Sequence, residues 1–154
     1  MRRSDKEITE LWEIAEITDK AAVCRIALVA ADYPYIIPVN FVVRDNDLYF
    51  HSSTEGKKID LLRHDNRVGF EIDSDVEIVK GDRACSWGAR YRSVIGWGRA
   101  FFLEEENEKK QALDYLMEKY AGKQNFAYQS AALAKAAVIK VRIEKITGKK
   151  SGYK

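Results

Sequence analysis

The residues best placed to do chemistry stand between Leu48 and Asp60, in the run L-Y-F-H-S-S-T-E-G-K-K-I-D. Leu48, Tyr49 and Phe50 favour a strand. Ser53 or Thr54 can cap a following helix that Ile59, Leu61 and Leu62 pin to a core. At the junction, His51, Ser52, Gly56, Lys57 and Lys58 supply an imidazole, a hydroxyl, two ammoniums and unpaired backbone N–H groups. A helix N-terminus carries about half a positive charge, so this donor set suits a phosphate. Gly56 lets a ligand approach the backbone, and the lysines add point charges. The same residues also read as an ordinary polar helix start with two solvated lysines, and at this point both readings stand.

Other chemistries find little support. There is no G-x-S-x-G nucleophile elbow, and Glu55-Gly56-Lys57-Lys58 lacks the upstream glycine of a phosphate-binding Walker loop. Gly96-Trp97-Gly98 lies in a strand pattern without a third glycine, which argues against a dinucleotide fingerprint. His51 and His64 stand alone, Cys24 and Cys85 read as free thiols, and no metal site is expected. With no acid–base pair in view, no catalytic residue is assigned; an enzyme built on this chain would leave the hard step to a cofactor.

The elements that must position these groups follow from the chain in order. Its 154 residues suit one domain over 1–154, and 46% hydrophobic with 32% charged residues is a globular composition. A net charge of +2 is too small to argue for nucleic acid. No apolar run reaches the length of a membrane span, and no apolar signal segment follows the first charges, so a cytoplasmic location is expected. Ser4 and Glu7 match a capping box for a helix from about Asp5 to Ile17. Strands are expected over Ala21–Ala31, over Tyr35–Arg44 with an interruption at Pro38, and over Leu48–Ser52 after a turn at Asp45-Asn46-Asp47. A short helix over Thr54–His64 precedes a strand through Val68, Phe70 and Ile72 that continues towards Gly81-Asp82. In the long strand Arg90–Leu103, Gly96 and Gly98 share one face; Tyr91, Ser93, Ile95, Trp97 and Arg99 share the other. Glu104-Glu105-Glu106 opens a helix with Met117 and Tyr120 on its core face and Gly122 as its stop. The stretch Gln124–Ala137 is ambiguous, with a helical turn possible in Ser130–Ala137. Val138–Ile146 is the last strand, and Gly148–Lys154 reads as a loose basic tail. Six strands with short connections and about three helices give a mainly β domain, an antiparallel barrel or sandwich.

Three segments in this order carry a family resemblance: Pro34-Tyr35-Ile36-Ile37-Pro38-Val39-Asn40-Phe41, then Leu48 to Lys58, then Tyr91-Arg92-Ser93-Val94-Ile95-Gly96-Trp97-Gly98, with Ile146-Thr147-Gly148-Lys149 closing. The chain resembles the flavin-binding split-barrel superfamily of pyridoxamine 5′-phosphate oxidase, and more narrowly the Nim-type 5-nitroimidazole resistance proteins. The resemblance implies a six-stranded split β-barrel and a homodimer with FMN at the subunit interface. It maps the phosphate onto His51, Ser52, Gly56, Lys57 and Lys58, beside Phe50, and the isoalloxazine ring onto Pro38, Val39, Asn40 and Phe41. A ladder opened at Pro38 would free backbone groups for the ring's polar edge. Ser93 matches a polar flavin ligand; Tyr91 and Trp97 would meet the ring or the partner subunit, and Cys85 with Trp97 would line an acceptor pocket. The segment with which the vitamin-processing oxidase binds pyridoxal phosphate has no counterpart here. The activity implied is an FMN-dependent oxidoreductase passing electrons to a small acceptor such as a nitroaromatic. Alternatives are a haem- or deazaflavin-binding split barrel and a non-enzymatic ligand-binding module. Neither nucleic acid nor membrane is an expected partner.

Overall fold

Strand-forming runs of Val, Ile, Tyr and Phe, each broken by short turn chemistry, build one antiparallel sheet. The computed structural model describes residues 3–122 and 126–153. Its strands are β1 (Glu7–Ile8), β2 (Cys24–Leu28), β3 (Tyr35–Val39), β4 (Val42–Arg44), β5 (Asp47–Ser53), β6 (Arg67–Val79), β7 (Gly88–Phe102) and β8 (Ala136–Ser151). Four α-helices accompany them: α1 (Leu11–Lys20), α2 (Lys57–His64), α3 (Glu106–Ala121) and α4 (Ser130–Ala134). The strand order is β3-β2-β6-β7-β8-β5-β4, with β1 added alongside β8. Although β3 and β4 are consecutive in the chain, they lie at opposite edges, so the sheet curls into a split barrel that does not close.

Eight strands replace the expected six. The run Tyr35–Arg44 divides at Asn40-Phe41 into β3 and β4, and Glu7-Ile8 forms a strand of its own. The N-terminal capping box is not made: Ser4–Lys6 is a single 3₁₀ turn, Glu7 and Ile8 pair with Lys149 and Gly148, and α1 starts only at Leu11. The C-terminal segment is likewise not loose. Gly148 pairs with Val94 and Ser151 with Tyr91, and the Tyr153 hydroxyl donates to the Asp75 carbonyl at 2.7 Å. β7 is long enough to offer these residues a complete backbone ladder, which outweighs their charge. The fourth helix comes from the ambiguous stretch; Lys123, Gln124, Asn125 and the final Lys154 lie outside the described residues.

Asp45 and Asn46 both have positive φ, 52° and 65°, and turn the chain between the paired residues Arg44 and Asp47. This is the two-residue hairpin that suits the right-handed twist of strands. Phe41, Leu48, Phe50, Ile26, Ile72, Val94 and Ile139 are buried completely in the barrel interior. A second, smaller core of Leu103, Ala112 and Val138 seats α3 against the outside of β8. Two glycines of β7 lie against the main core and the neighbouring strand. A Cβ at Gly96 would overlap the Phe70 ring, and one at Gly98 would overlap the Arg142 carbonyl oxygen, at the point where the β7–β8 register shifts. The glycines thus admit an aromatic ring and a neighbouring backbone.

Candidate functional site

The corner singled out in the sequence lies where β5 gives way to α2. The helix begins at Lys57, three residues after the expected Thr54, and neither Ser53 nor Thr54 caps it. Instead the Ser53 hydroxyl oxygen accepts from the Glu55 N–H at 3.4 Å, and Gly56 occupies the cap position with φ 109°. That backbone conformation is one L residues rarely adopt. The first helical bonds run from the amides of Ile59 and Asp60 to the Gly56 carbonyl, at 2.8 and 3.2 Å. The amides of Lys57 and Lys58 precede them and have no acceptor in the helix. A Cβ at Gly56 would meet nothing within 4 Å, so the approach to these donors is open. Lys57 is exposed, with its Nζ 4.9 Å from the centre of the Tyr35 ring on β3, and Lys58 is half-buried beside it.

Strand alternation divides the rest of the expected phosphate set. Ser52 follows Phe50 by two and shares its face; His51 is exposed on the opposite face, the side of Tyr49. Phe50 and Phe41 are wholly buried and Val39 is nearly so, which leaves these three only main-chain groups to offer a ligand. Pro38 sits on the edge strand β3, opposite Arg25, and is exposed, as a residue without an N–H should be. Continuing the β4–β5 register of Val42 with Tyr49 would set Asn40 against His51, and there the two strands part.

The parted strands do not leave all their polar groups open. The Tyr120 hydroxyl, on α3, accepts the Phe41 N–H at 2.9 Å and lies within donating distance of the Ala22 carbonyl, 2.8 Å, and the Phe41 carbonyl, 3.1 Å. Asn40 Nδ2 donates to the same Ala22 carbonyl at 3.2 Å. Tyr120 is therefore a clamp on the β3–β4 link, 40% exposed, and not a core residue. Its spacing with Leu113, Leu116 and Met117 gave no sign of this, since hydroxyl contacts leave no periodicity. Next to it, Lys119 Nζ lies 3.6 Å from the centre of the Phe41 ring and donates to the Thr18 carbonyl at 2.7 Å. Burial pulls this ammonium down to about 8, and burial pushes the neighbouring Cys24 thiol up to about 12.

Ser93, Tyr91 and Trp97 lie elsewhere. Ser93 pairs with Lys149 while His51 pairs with Val138, so eleven residues of β8, about 36 Å along the strand, separate them. Within one chain Ser93 and the β5–α2 corner are not one site. Trp97 borders an open groove of about 800 Å³ on the outer face of the sheet, with Ala27, Val29, Ile36 and Ile95 as its apolar walls. Arg25 lies in that groove and pairs with Glu71 and Asp73, at 3.1 and 2.5 Å. Burial, then Asp73, holds the Glu71 carboxyl above its ordinary value. Cys85 is exposed in a 3₁₀ turn and does not join Trp97 in this groove. Among the described residues no His, Cys, Asp and Glu cluster could hold a metal ion, and no helix is long and apolar enough to cross a membrane.

The family model described as pyridoxamine 5′-phosphate oxidase matches residues 10–150, which takes in the chain from α1 to the last residue but one of β8. The chain belongs to this family. Its structure is similar to that of a candidate 5-nitroimidazole antibiotic resistance protein of Bacteroides thetaiotaomicron, at 32% identity and a TM-score of 0.84, covering 94% of this chain and 86% of that one. Two more distant members of the fold are the flavocytochrome Anf3 of Azotobacter vinelandii and a protein of Mycobacterium smegmatis described as binding FAD and haem. The first is 17% identical with a TM-score of 0.85, over 99% of this chain and 72% of that one. The second is 20% identical with a TM-score of 0.85, over 96% and 74%. At those identities the likeness concerns the split barrel alone. No curated protein matches the sequence.

Proposed function

We propose that this pyridoxamine 5′-phosphate oxidase family member is an FMN-binding oxidoreductase, working as a cytoplasmic homodimer. The observation that carries the reading is the uncapped N-terminus of α2, where two amides without acceptors in the helix follow an open Gly56 and the first two helical residues are Lys57 and Lys58. Such a donor set fits a terminal phosphate. Ser52 adds a hydroxyl from the end of β5, and His51 adds a ring N–H from the exposed side. Pro38 and Asn40, exposed on the edge strand and its link, are the side chains left to lie along a flat ring; Val39, Phe41 and Phe50 contribute backbone and shape. A flavin held there would supply the electron chemistry, with a small acceptor such as a nitroaromatic as the oxidant. The chain's part is to fix the phosphate, hold the β3–β4 link through Tyr120, and keep water from the ring with its apolar faces.

The apolar outer groove is the surface we assign to the second subunit, since a patch of this kind on a soluble domain marks an interaction face. Ser93 could touch the flavin only from that partner, because its own corner lies too far along β8. The imidazoles of His51 and His64 are exposed, and neither lines this groove, so the residues of the groove favour a flavin over a haem with a histidine ligand there. The test is denaturing release of the bound cofactor from the native protein, with identification by mass. FMN is expected from the wild type. The Lys57→Glu, Lys58→Glu double variant should fold normally by circular dichroism yet retain none; flavin retained at the wild-type level in that variant overturns the assignment.

A further inference from the structure

The amine of Lys119, in the last turn of α3, lies where three segments of the chain meet. From the end of α1, the Thr18 carbonyl accepts from its Nζ at 2.7 Å. From the β3–β4 link, the Phe41 ring has its centre 3.6 Å from the same atom, and the ring of the adjacent Tyr120 has its centre at 5.5 Å. Asp19 on α1 and Cys24 at the start of β2 are the titratable groups that act on it. Glu118, the preceding residue of α3, is occupied by Arg44 on β4 at 3.1 Å.

Other lysines are held differently. Lys20, Lys110, Lys140 and Lys150 each pair with a carboxylate. Lys119 has no ion-pair partner among the described residues. One carbonyl takes one of its three N–H bonds, and the face of Phe41 takes the charge. Neither retains a proton as firmly as a carboxylate does, and the half-buried position strips water from the ammonium. Burial therefore wins, at about 8, against Asp19 and then Cys24, which favour the cation. At pH 8 about half of such amines are neutral, against about 0.4% of lysines at the ordinary value. Only the neutral amine has the lone pair that attacks an electrophile, and desolvation is a known way to activate a lysine.

The surroundings also select the electrophile. Carbon dioxide would leave a carbamate anion in a half-buried place against the negative face of an aromatic ring. An acyl group leaves an uncharged amide. Its remaining N–H still has the Thr18 carbonyl to donate to, and its methyl group suits the apolar face of Phe41.

We propose that Lys119 is a covalent acylation site that reacts with small acyl phosphates. The Nζ lone pair forms a bond to the acyl carbon, the bond from that carbon to the phosphate oxygen breaks, and the amine's proton leaves with inorganic phosphate. The product has lost its charge and its contact as a cation with Phe41, next to the Tyr120 hydroxyl that holds the β3–β4 link. The proposal rests on the meeting of α1 with α3 and is independent of the flavin reading.

The probe is acetyl phosphate, applied at low conversion to the native full-length protein and to the same protein unfolded in urea, with acetylated peptides quantified by mass. At pH 8 Lys119 should gain acetyl at least about tenfold faster than the median lysine of the native chain; its roughly hundredfold excess of neutral amine is offset in part by lower basicity and partial burial. Its rate should level off above pH 8, while the rate for exposed lysines as a group climbs towards pH 10. In urea the preference should vanish. A Lys119 rate at or below the median at pH 8, or one that climbs with the rest to pH 10, overturns the proposal. So does a preference that survives in urea, which would place its cause in adjacent residues of the chain and not in the fold. Absence of flavin from the wild type, with acetylation as expected, sinks only the function proposed above.

Discussion

Replacing Tyr120 by phenylalanine removes one oxygen and nothing else, yet three backbone groups meet at that oxygen. The hydroxyl has a single hydrogen, so it donates to the Ala22 or the Phe41 carbonyl while accepting the Phe41 N–H. The carbonyls can turn to water or share other donors. The Phe41 amide cannot do so as easily, because its own side chain is completely buried. A buried donor left without a partner costs about 1–3 kcal/mol. Tyr120 itself is 40% exposed, so water can reach part of the gap and the lower half of that range applies, about 1–2 kcal/mol. For a domain of this size that corresponds to a fall in Tm of roughly 2–8 °C. Urea unfolding followed by circular dichroism measures it. The midpoint should drop with the slope unchanged, because the surface exposed on unfolding is the same. The β3–β4 link would also lose its anchor, so flavin affinity should fall alongside stability. A midpoint within error of the wild type would refute the clamp, and with it the claim that α3 holds the parted strands in place.

Gly98→Ala should destabilise by about 1–3 kcal/mol in the same urea assay, because its Cβ would overlap a backbone oxygen that cannot step aside. Gly69→Ala on the neighbouring strand is the control; its Cβ would sit 3.9 Å from its nearest neighbours, and no loss is expected. Lys119 is held at about 8 against an ordinary 10.5, so both states are protonated below about pH 8, and above it the unfolded state binds more protons. Wild-type stability relative to Lys119→Met should therefore rise between pH 8 and 10, by a modest amount because the ammonium is only half-buried. Cys24 and Tyr49, pushed up to about 12, act in the opposite direction but are common to both proteins. A difference that stays flat across that range refutes the burial of Lys119. With a thiol-reactive disulfide reagent near neutral pH, the native protein should titrate one cysteine, the exposed Cys85, and the denatured protein two. Two fast thiols in the native state would show that Cys24 is not enclosed.

Much of this molecule was legible locally. Asp45-Asn46 turned where two residues with positive φ were needed, Gly122 stopped α3 in the left-handed conformation, and the two faces of β7 alternated as the sequence pattern required. The concentration of Gly56, Lys57 and Lys58 at a strand-to-helix junction also follows from neighbours in the chain, because capping, turn chemistry and alternation act over a few residues. Contacts between distant segments were settled only by folding. Glu7-Ile8 gave up a capping box for a ladder with Gly148-Lys149, some 140 residues away, and that same ladder ordered a tail whose lysines had suggested solvent. The division of Tyr35–Arg44 came from the barrel, whose two edges that run must join, and not from Pro38. Tyr120 took the amide which that division released, and register along β8 carried Ser93 away from the corner and set it opposite Lys149. Periodicity tells which face a side chain takes; which strand lies beside it, and in what register, depends on hydrogen bonds between segments that the sequence keeps far apart.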